Sequence, residues 1–178
     1  MRIGIDLDDT LCDTEERCAF YEEIYMKDKK ISKETLWNDE LHKLDFFKAY
    51  SKNAFKEANL KENAYHIIKH LRDMGHEIYI ITARNNLYVS DGHKITKDYL
   101  KEKALEVDKI ISDAGDKVNA CIDNHIDLMI DNNKYNYDML VANHINALLY
   151  DENENYPDEN NRVSNWNEIL QKVKKMKK

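Results

Sequence analysis

The sequence has one proline and three cysteines in 178 residues, no excess of basic residues and no long apolar run. Each shortage excludes something. With 42% hydrophobic and 34% charged residues, a chain so poor in proline is neither a proline-rich linker nor a disordered polar tract, and it suits a compact, helix-rich domain. Cys12, Cys18 and Cys121 are too few and too irregularly spaced for a disulfide framework, and no two form a C-x-x-C pair, so reduced thiols are expected. The 34 acidic against 27 basic residues give a net charge of -7, which argues against a broad electrostatic grip on a nucleic-acid polymer. A small anionic substrate needs a local cation instead. Basic residues cluster only at Lys172, Lys174, Lys175, Lys177 and Lys178, at the end of a helical pattern where cations meet the negative pole of the macrodipole. No apolar stretch approaches the roughly 20 residues of a membrane span, and the chain opens on a strand pattern rather than a basic-then-apolar leader. The expected compartment is the cytoplasm, with neither membrane nor nucleic acid as partner. The oligomeric state is left open.

The length bounds one main domain with room for an insertion. Short β-type apolar runs recur at Arg2 to Ile5, Glu77 to Ile81, Lys109 to Ile111, Leu128 to Ile130 and Ile145 to Leu149. Between Leu60 and Gly75, Ala64, Ile67, Ile68 and Leu71 fall at i, i+3, i+4 and i+7, and Gly75 is placed to end that helix. Val163, Trp166, Ile169, Leu170 and Val173 form a second apolar stripe, with Ser164 or Asn165 as its N-cap. Alternating strand and helix predict an α/β fold with a mostly parallel sheet and ligands at the carboxyl ends of its strands. The exception runs from Thr10 to about Leu60, where helical patterns from Thr14 to Tyr25 and from Ser32 to Tyr50 carry aromatics but no strand. It reads as a helical insertion spanning 13–60, within a core made of 1–12 and 61–178. Asp13-x-x-Glu16 resembles a capping box at its first helix.

Charged residues just past the strands carry the chemistry. Ile3-Gly4-Ile5 runs into Asp6-Leu7-Asp8-Asp9-Thr10, which crowds three carboxylates at the end of a buried strand. Such a cluster calls for a hard divalent cation such as Mg²⁺. Asp6 and Asp8 would share a side of an extended chain, so one carboxylate can attack phosphorus while the other handles the proton. A loop of solvated acids is the plain alternative. Ile78 to Ile81 ends in Thr82-Ala83-Arg84, where a hydroxyl and a guanidinium can bind an anion, although such a threonine also serves as a strand-end cap. Lys117 opens the helical stretch Asp116 to Cys121, where its ammonium and the first amides can face an anion; it also fits an ordinary surface lysine. Leu128-Met129-Ile130 leads into Asp131-Asn132, a further source of oxygen ligands or a simple turn.

In order and spacing, these four elements resemble the four motifs of the haloacid-dehalogenase (HAD) superfamily. The resemblance implies a Rossmann-like parallel sheet flanked by helices, with a small helical cap inserted after the first strand. It implies a phosphohydrolase in which Asp6 forms an aspartyl-phosphate and Asp8 protonates the leaving oxygen and then activates water. Thr82 and Lys117 would hold the phosphoryl oxygens, and Mg²⁺ would bind Asp6, the backbone carbonyl of Asp8 and the Asp131-Asn132 pair. The family commonly has two adjacent acids at this last position; the asparagine leaves open which of the pair touches the metal. More narrowly, three stretches are similar to the 5′(3′)-deoxyribonucleotidase and bacterial nucleotidase branch: the opening Ile-Asp-Leu-Asp-Asp-Thr-Leu-Cys-Asp-Thr, then Ile-Thr-Ala-Arg, and finally Asn124 to Asp131. Val163-Ser164-Asn165-Trp166 extends the similarity. A small phosphomonoester is thus the expected partner, a nucleoside monophosphate first and a sugar phosphate as the alternative.

Arg84, Phe46, Phe47 and Trp37 are the candidate substrate contacts, since aromatics in the insertion can stack on a base. They can equally form the insertion's own core. The histidines show no metal-ligand pattern beyond the unsupported pair His66 and His70. A receiver-type phosphorylatable domain also uses acids, a threonine and a lysine around Mg²⁺, but its acids lie on different strands and no such insertion follows its first strand. A catalytically silent module is disfavoured by the intact Asp6, Asp8, Thr82 and Lys117.

Overall fold

The computed structural model describes residues 1–84 and 87–176; Lys177 and Lys178 of the basic cluster lie outside the described residues. The sheet comprises β1 (Arg2–Ile5), β2 (Glu77–Ile81), β3 (Lys109–Ile111), β4 (Leu128–Asp131), β5 (Ala147–Tyr150) and β6 (Arg162–Val163). Every neighbouring pair is parallel, in the order β3-β2-β1-β4-β5-β6. Such strands are covered on both faces, which is why their sequences are nearly continuous apolar runs.

Period-two alternation divides the core. Ile3 and Ile5 of β1 face a cluster built with α4 (Ala64–Asp73), α5 (Gly92–Glu102) and α8 (Trp166–Met176). On the opposite face, Ile81, Met129 and Leu149 pack with α6 (Lys117–Asp123) and α7 (Lys134–Ala142). Gly4 points to that second face, where an added Cβ would come within 2.7 Å of Met129 Sδ and 2.9 Å of Ile81 Cδ1. Ile145 falls outside β5, which runs one residue past Leu149 to Tyr150. The two-residue β6 has no periodicity to read, and its Val163 precedes the helix it was expected to join. Asn165 Oδ1 accepts from Glu168 N at 3.1 Å and so caps α8, while Ser164 donates to the Glu168 carboxylate. Gly75, at φ +82°, follows α4 in the left-handed conformation expected of it.

Between β1 and α4 the chain forms α1 (Thr14–Lys29), α2 (Lys33–Asn38) and α3 (Glu40–Glu57), with an apolar cluster of their own. The segments that leave and rejoin the sheet pair with each other: Asp13 N donates to Asn59 O, and Lys61 N to Leu11 O, both at 2.9 Å. The expected capping box does not form. Asp13 makes no side-chain cap bond because its carboxylate meets Lys61 Nζ at 2.5 Å, and Asp9 instead accepts from Glu15 N at 2.8 Å. A buried ammonium outcompetes a backbone amide for a carboxylate.

Candidate active site

The chain order places β2 and β3 on one side of β1 and β4 on the other, so the order in which strands are added reverses between the parallel neighbours β1 and β4. At such a switch point the loops diverge and leave a crevice beyond the carboxyl ends. Ile5 pairs with Ile130, which sets Asp6 beside Asp131; Asp6 N donates to Ile130 O at 2.9 Å. Both carboxylates are buried.

Lys117, at the start of α6 and 5% exposed, donates from Nζ to Asp6 Oδ1 at 2.6 Å and to the Ile81 carbonyl. It is therefore a buried counter-ion and not a surface lysine. Burial is the largest influence on Asp6 and raises its pKa; Lys117 pulls it down, Asp131 and Asp8 push it up, and the outcome lies above the ordinary carboxylate value. Asp131 is raised likewise, by burial first and against Lys117 and its own hydrogen bonds. Burial opposes the charge on Lys117, but Asp6 and Asp131 more than offset it and hold the ammonium protonated.

Asp8 turns to Arg84. Nη2 donates to Oδ1 at 2.6 Å, Nε lies 3.0 Å from Oδ1 and 3.1 Å from Oδ2, and Thr14 Oγ1 donates to Oδ1 at 2.6 Å. Arg84, expected to hold a substrate anion, is 2% exposed with its fork filled by a carboxylate of the protein. The apolar rings around the guanidinium leave Asp8 as the strong acceptor within reach, and bidentate pairing with it compensates the buried charge. Thr82, just past β2, accepts from Arg84 N at 3.3 Å, and a hydroxyl held this way still has a proton to donate.

Thr10 and Asn132 close the site on the β4 side. Thr10 Oγ1 accepts from Asn132 N at 3.0 Å and lies 3.1 Å from Asn132 Oδ1 and 3.4 Å from Asp6 Oδ2. Its single proton can serve only one of the two oxygens, and the shorter approach favours Asn132. Asp131 accepts from Asn133 N at 2.8 Å and from Asn136 Nδ2 at 3.1 Å.

Three acids, Asp6, Asp8 and Asp131, face two cations, Lys117 and Arg84. The surplus negative charge, the raised carboxylates and the all-oxygen donors fit a hard divalent cation. Among the described residues no three acidic, histidine or cysteine side chains converge on one point, because the Asp8 carboxylate is turned to Arg84. The oxygens that the structure brings together there are the carboxylates of Asp6 and Asp131 and, through Thr10, the neutral Asn132 Oδ1.

The aromatics divide. Phe46 is 1% exposed and packed edge-on against Tyr25, Trp37 and Phe47, so it is core of the helical insertion and presents no face to a base. An aromatic inside a three-helix unit is its largest source of apolar burial. Trp37 and Phe47 are half-buried at the edge of that core, Phe47 against Tyr88 from the segment after β2. Thr14, Asn136 and the tie from Trp166 Nε1 to the Thr10 carbonyl at 3.1 Å escape a sequence reading. Thr14 and Trp166 do fall in the stretches quoted for the resemblance, but nothing local assigns them these partners; Asn136 lies one turn into a helix capped by Asn133. Beside Asn132 and Asp9 opens a cavity of about 490 Å³, lined by Asp13, Glu15, Glu16, Lys61 and Asp151 among others.

Solved structures of similar shape are HAD-superfamily hydrolases and phosphatases. A protein described as a predicted phosphatase from Clostridium acetobutylicum has a TM-score of 0.73 at 17% identity, over 98% of both chains. A haloacid dehalogenase-like hydrolase from Streptococcus pneumoniae scores 0.70 at 13%, over 97% of both. A HAD-hydrolase from Bacillus subtilis, bound to magnesium, scores 0.69 at 13%, over 97% of this chain and 98% of that one. At these identities the likeness shows the fold, which is HAD-like. No family model and no curated protein matches the sequence.

Proposed function

We propose that the chain is a Mg²⁺-dependent phosphomonoester hydrolase that works through an aspartyl-phosphate on Asp6. The observation that carries this reading is a buried carboxylate at the sheet's switch point, bonded to the buried Lys117 ammonium at 2.6 Å and flanked by a second raised acid, Asp131. A structural ion pair needs one acid, not this surplus. Asp6 attacks phosphorus, a P–O bond to the carboxylate forms, and the P–O bond to the alcohol breaks as Asp8 gives the leaving oxygen a proton. Asp8 then takes a proton from water, whose oxygen attacks the same phosphorus and frees inorganic phosphate and Asp6. Lys117 and Thr82 bind the phosphoryl oxygens throughout, and Lys117 orients the Asp6 carboxylate. A Mg²⁺ held by Asp6, Asp131 and the Asp8 carbonyl, with Asn132 beside it, would supply positive charge against the repulsion between an attacking carboxylate and an anionic ester.

For the alcohol we favour a nucleoside, on the strength of the nucleotidase-like stretches around Asp6, Thr82 and Asp131. The helices over 13–60 then act as a cap that selects the substrate, with Trp37 and Phe47 as the aromatics still open to it. The acid-lined cavity beside Asn132 favours a second reading, in which the alcohol is a polyol or sugar without further negative charge. A panel of nucleoside monophosphates, sugar phosphates and p-nitrophenyl phosphate, with Mg²⁺ or with chelator, separates these. Turnover that needs Mg²⁺, disappears in a folded Asp6→Asn variant and prefers nucleotides is the expected result. Phosphate release by Asp6→Asn at the wild-type rate refutes the mechanism, and a preference for sugar phosphates refutes the nucleotide assignment alone.

A further inference from the structure

We propose that Arg84 is the positioning residue of Asp8 and takes no part in binding the substrate's phosphoryl group: with Thr14 it saturates Asp8 Oδ1 and leaves Oδ2 as the oxygen that exchanges the proton. The inference rests on the phosphohydrolase reading above. Three donors converge on Oδ1, namely Arg84 Nη2 at 2.6 Å, Thr14 Oγ1 at 2.6 Å and Arg84 Nε at 3.0 Å. Oδ2 receives only a share of the single Nε proton, at 3.1 Å. The Asp8 side chain keeps 31% of its surface while that of Arg84 keeps 1%, so one partner of the pair meets solvent and the other does not.

What surrounds the guanidinium argues the same way. Phe55 of α3 lies with its ring centroid 4.1 Å from Arg84 Cζ, and Tyr99 of α5 lies 5.8 Å away. Nη2 also approaches Thr14 Oγ1 at 3.3 Å. The remaining nitrogen, Nη1, is buried without a hydrogen-bond partner, and ring faces compensate a guanidinium in part. A phosphoryl oxygen reaches Nη1 only if these rings move. Because Phe55 belongs to the helical insertion, the insertion bears on the rotamer of Asp8 through Arg84.

The test compares wild type, Arg84→Lys, Arg84→Gln, Asp8→Asn and the double variant Arg84→Gln/Asp8→Asn. Each is assayed on p-nitrophenyl phosphate, whose leaving group needs little protonation, and on an alkyl phosphate, whose leaving group needs it. Inhibition by inorganic phosphate reports anion binding separately. Loss of positioning predicts that both Arg84 variants lower kcat on the alkyl ester at least about tenfold more than on the aryl ester, the pattern of a lost general acid. KM and the phosphate inhibition constant should stay within about threefold, since uniform binding is untouched. The double variant should be no slower than Asp8→Asn, because residues acting through one another are not additive. Arg84→Lys keeps the charge but not the two-point fork, and carries the test if Arg84→Gln does not fold. KM and the phosphate constant rising together at preserved kcat, or losses that multiply in the double variant, overturn the assignment and leave the phosphohydrolase reading standing. A wild type without turnover on either ester overturns both.

Discussion

Replacing Lys117 by Met keeps most of the side-chain volume and removes one charge from the centre of the site. Two groups lose their partner: the Ile81 carbonyl and Asp6 Oδ1. An unsatisfied buried carbonyl costs about 1–3 kcal/mol whatever the pH. Breaking a buried ion pair by removing one partner brings the total to about 3–5 kcal/mol, because the charge left behind is uncompensated. That second part depends on pH. Lys117 lowers the Asp6 pKa against burial, Asp131 and Asp8, so without it the folded-state value climbs further above the unfolded one. A carboxylate raised in the folded state contributes stability at low pH and loses it as pH rises. The variant's penalty should therefore be largest near pH 8 and shrink by at least about 1 kcal/mol near pH 5, each pKa unit being worth about 1.4 kcal/mol. Urea unfolding of both proteins in chelator at the two pH values measures this. A penalty below about 1 kcal/mol, or one that is flat with pH, would show that Lys117 is not the counter-ion of Asp6 and would remove the electrostatic basis of the site.

Asp8→Asn should slow turnover of an alkyl phosphate by about 10²–10⁴-fold, and a change under tenfold in steady-state assays would deny it the acid–base role. Asn132→Asp adds a charge beside Asp6 and Asp131, so it should lower the melting temperature in chelator and tighten Mg²⁺ in a titration; unchanged affinity would place Asn132 outside the metal's reach. Phe46→Ala should destabilise the protein by about 3–5 kcal/mol in denaturant unfolding, and a loss under 1 kcal/mol would contradict its place in the insertion's core. If the substrate is a nucleotide that stacks on Phe47, Phe47→Ala should raise KM for it by the equivalent of about 1–3 kcal/mol while sparing p-nitrophenyl phosphate; equal changes on both would make Phe47 a packing residue.

Local pattern in the sequence was enough for five of the six strands and for the edge at which the acids gather. Strands such as Glu77–Ile81 are apolar runs bounded by polar residues, and α4 is an i, i+3, i+4 stripe ended by Gly75; both are set by contacts periodic along the chain. Because parallel strands bring their carboxyl ends together, acids and a threonine just after those runs had to gather at one edge. Asp6, Thr82 and Asp131 were legible for that reason, and the helix-opening Lys117 only through its order relative to them.

Which side chain meets which depends on approaches between residues distant in the chain, and no local period records those. Arg84 and Asp8 are 76 residues apart, and either could have faced substrate; a shell of Phe55 and Tyr99 turned the arginine to the carboxylate. Asp13 caps its helix in sequence but meets Lys61 in space, and Phe46 looks like a stacking platform until the helices of the insertion close around it. The sequence by itself determined the five longer strands and the edge at which the acids collect, because those follow from backbone period and strand direction. Only the tertiary structure decided the partner of each charge, because a buried charge takes the nearest compensating group in three dimensions.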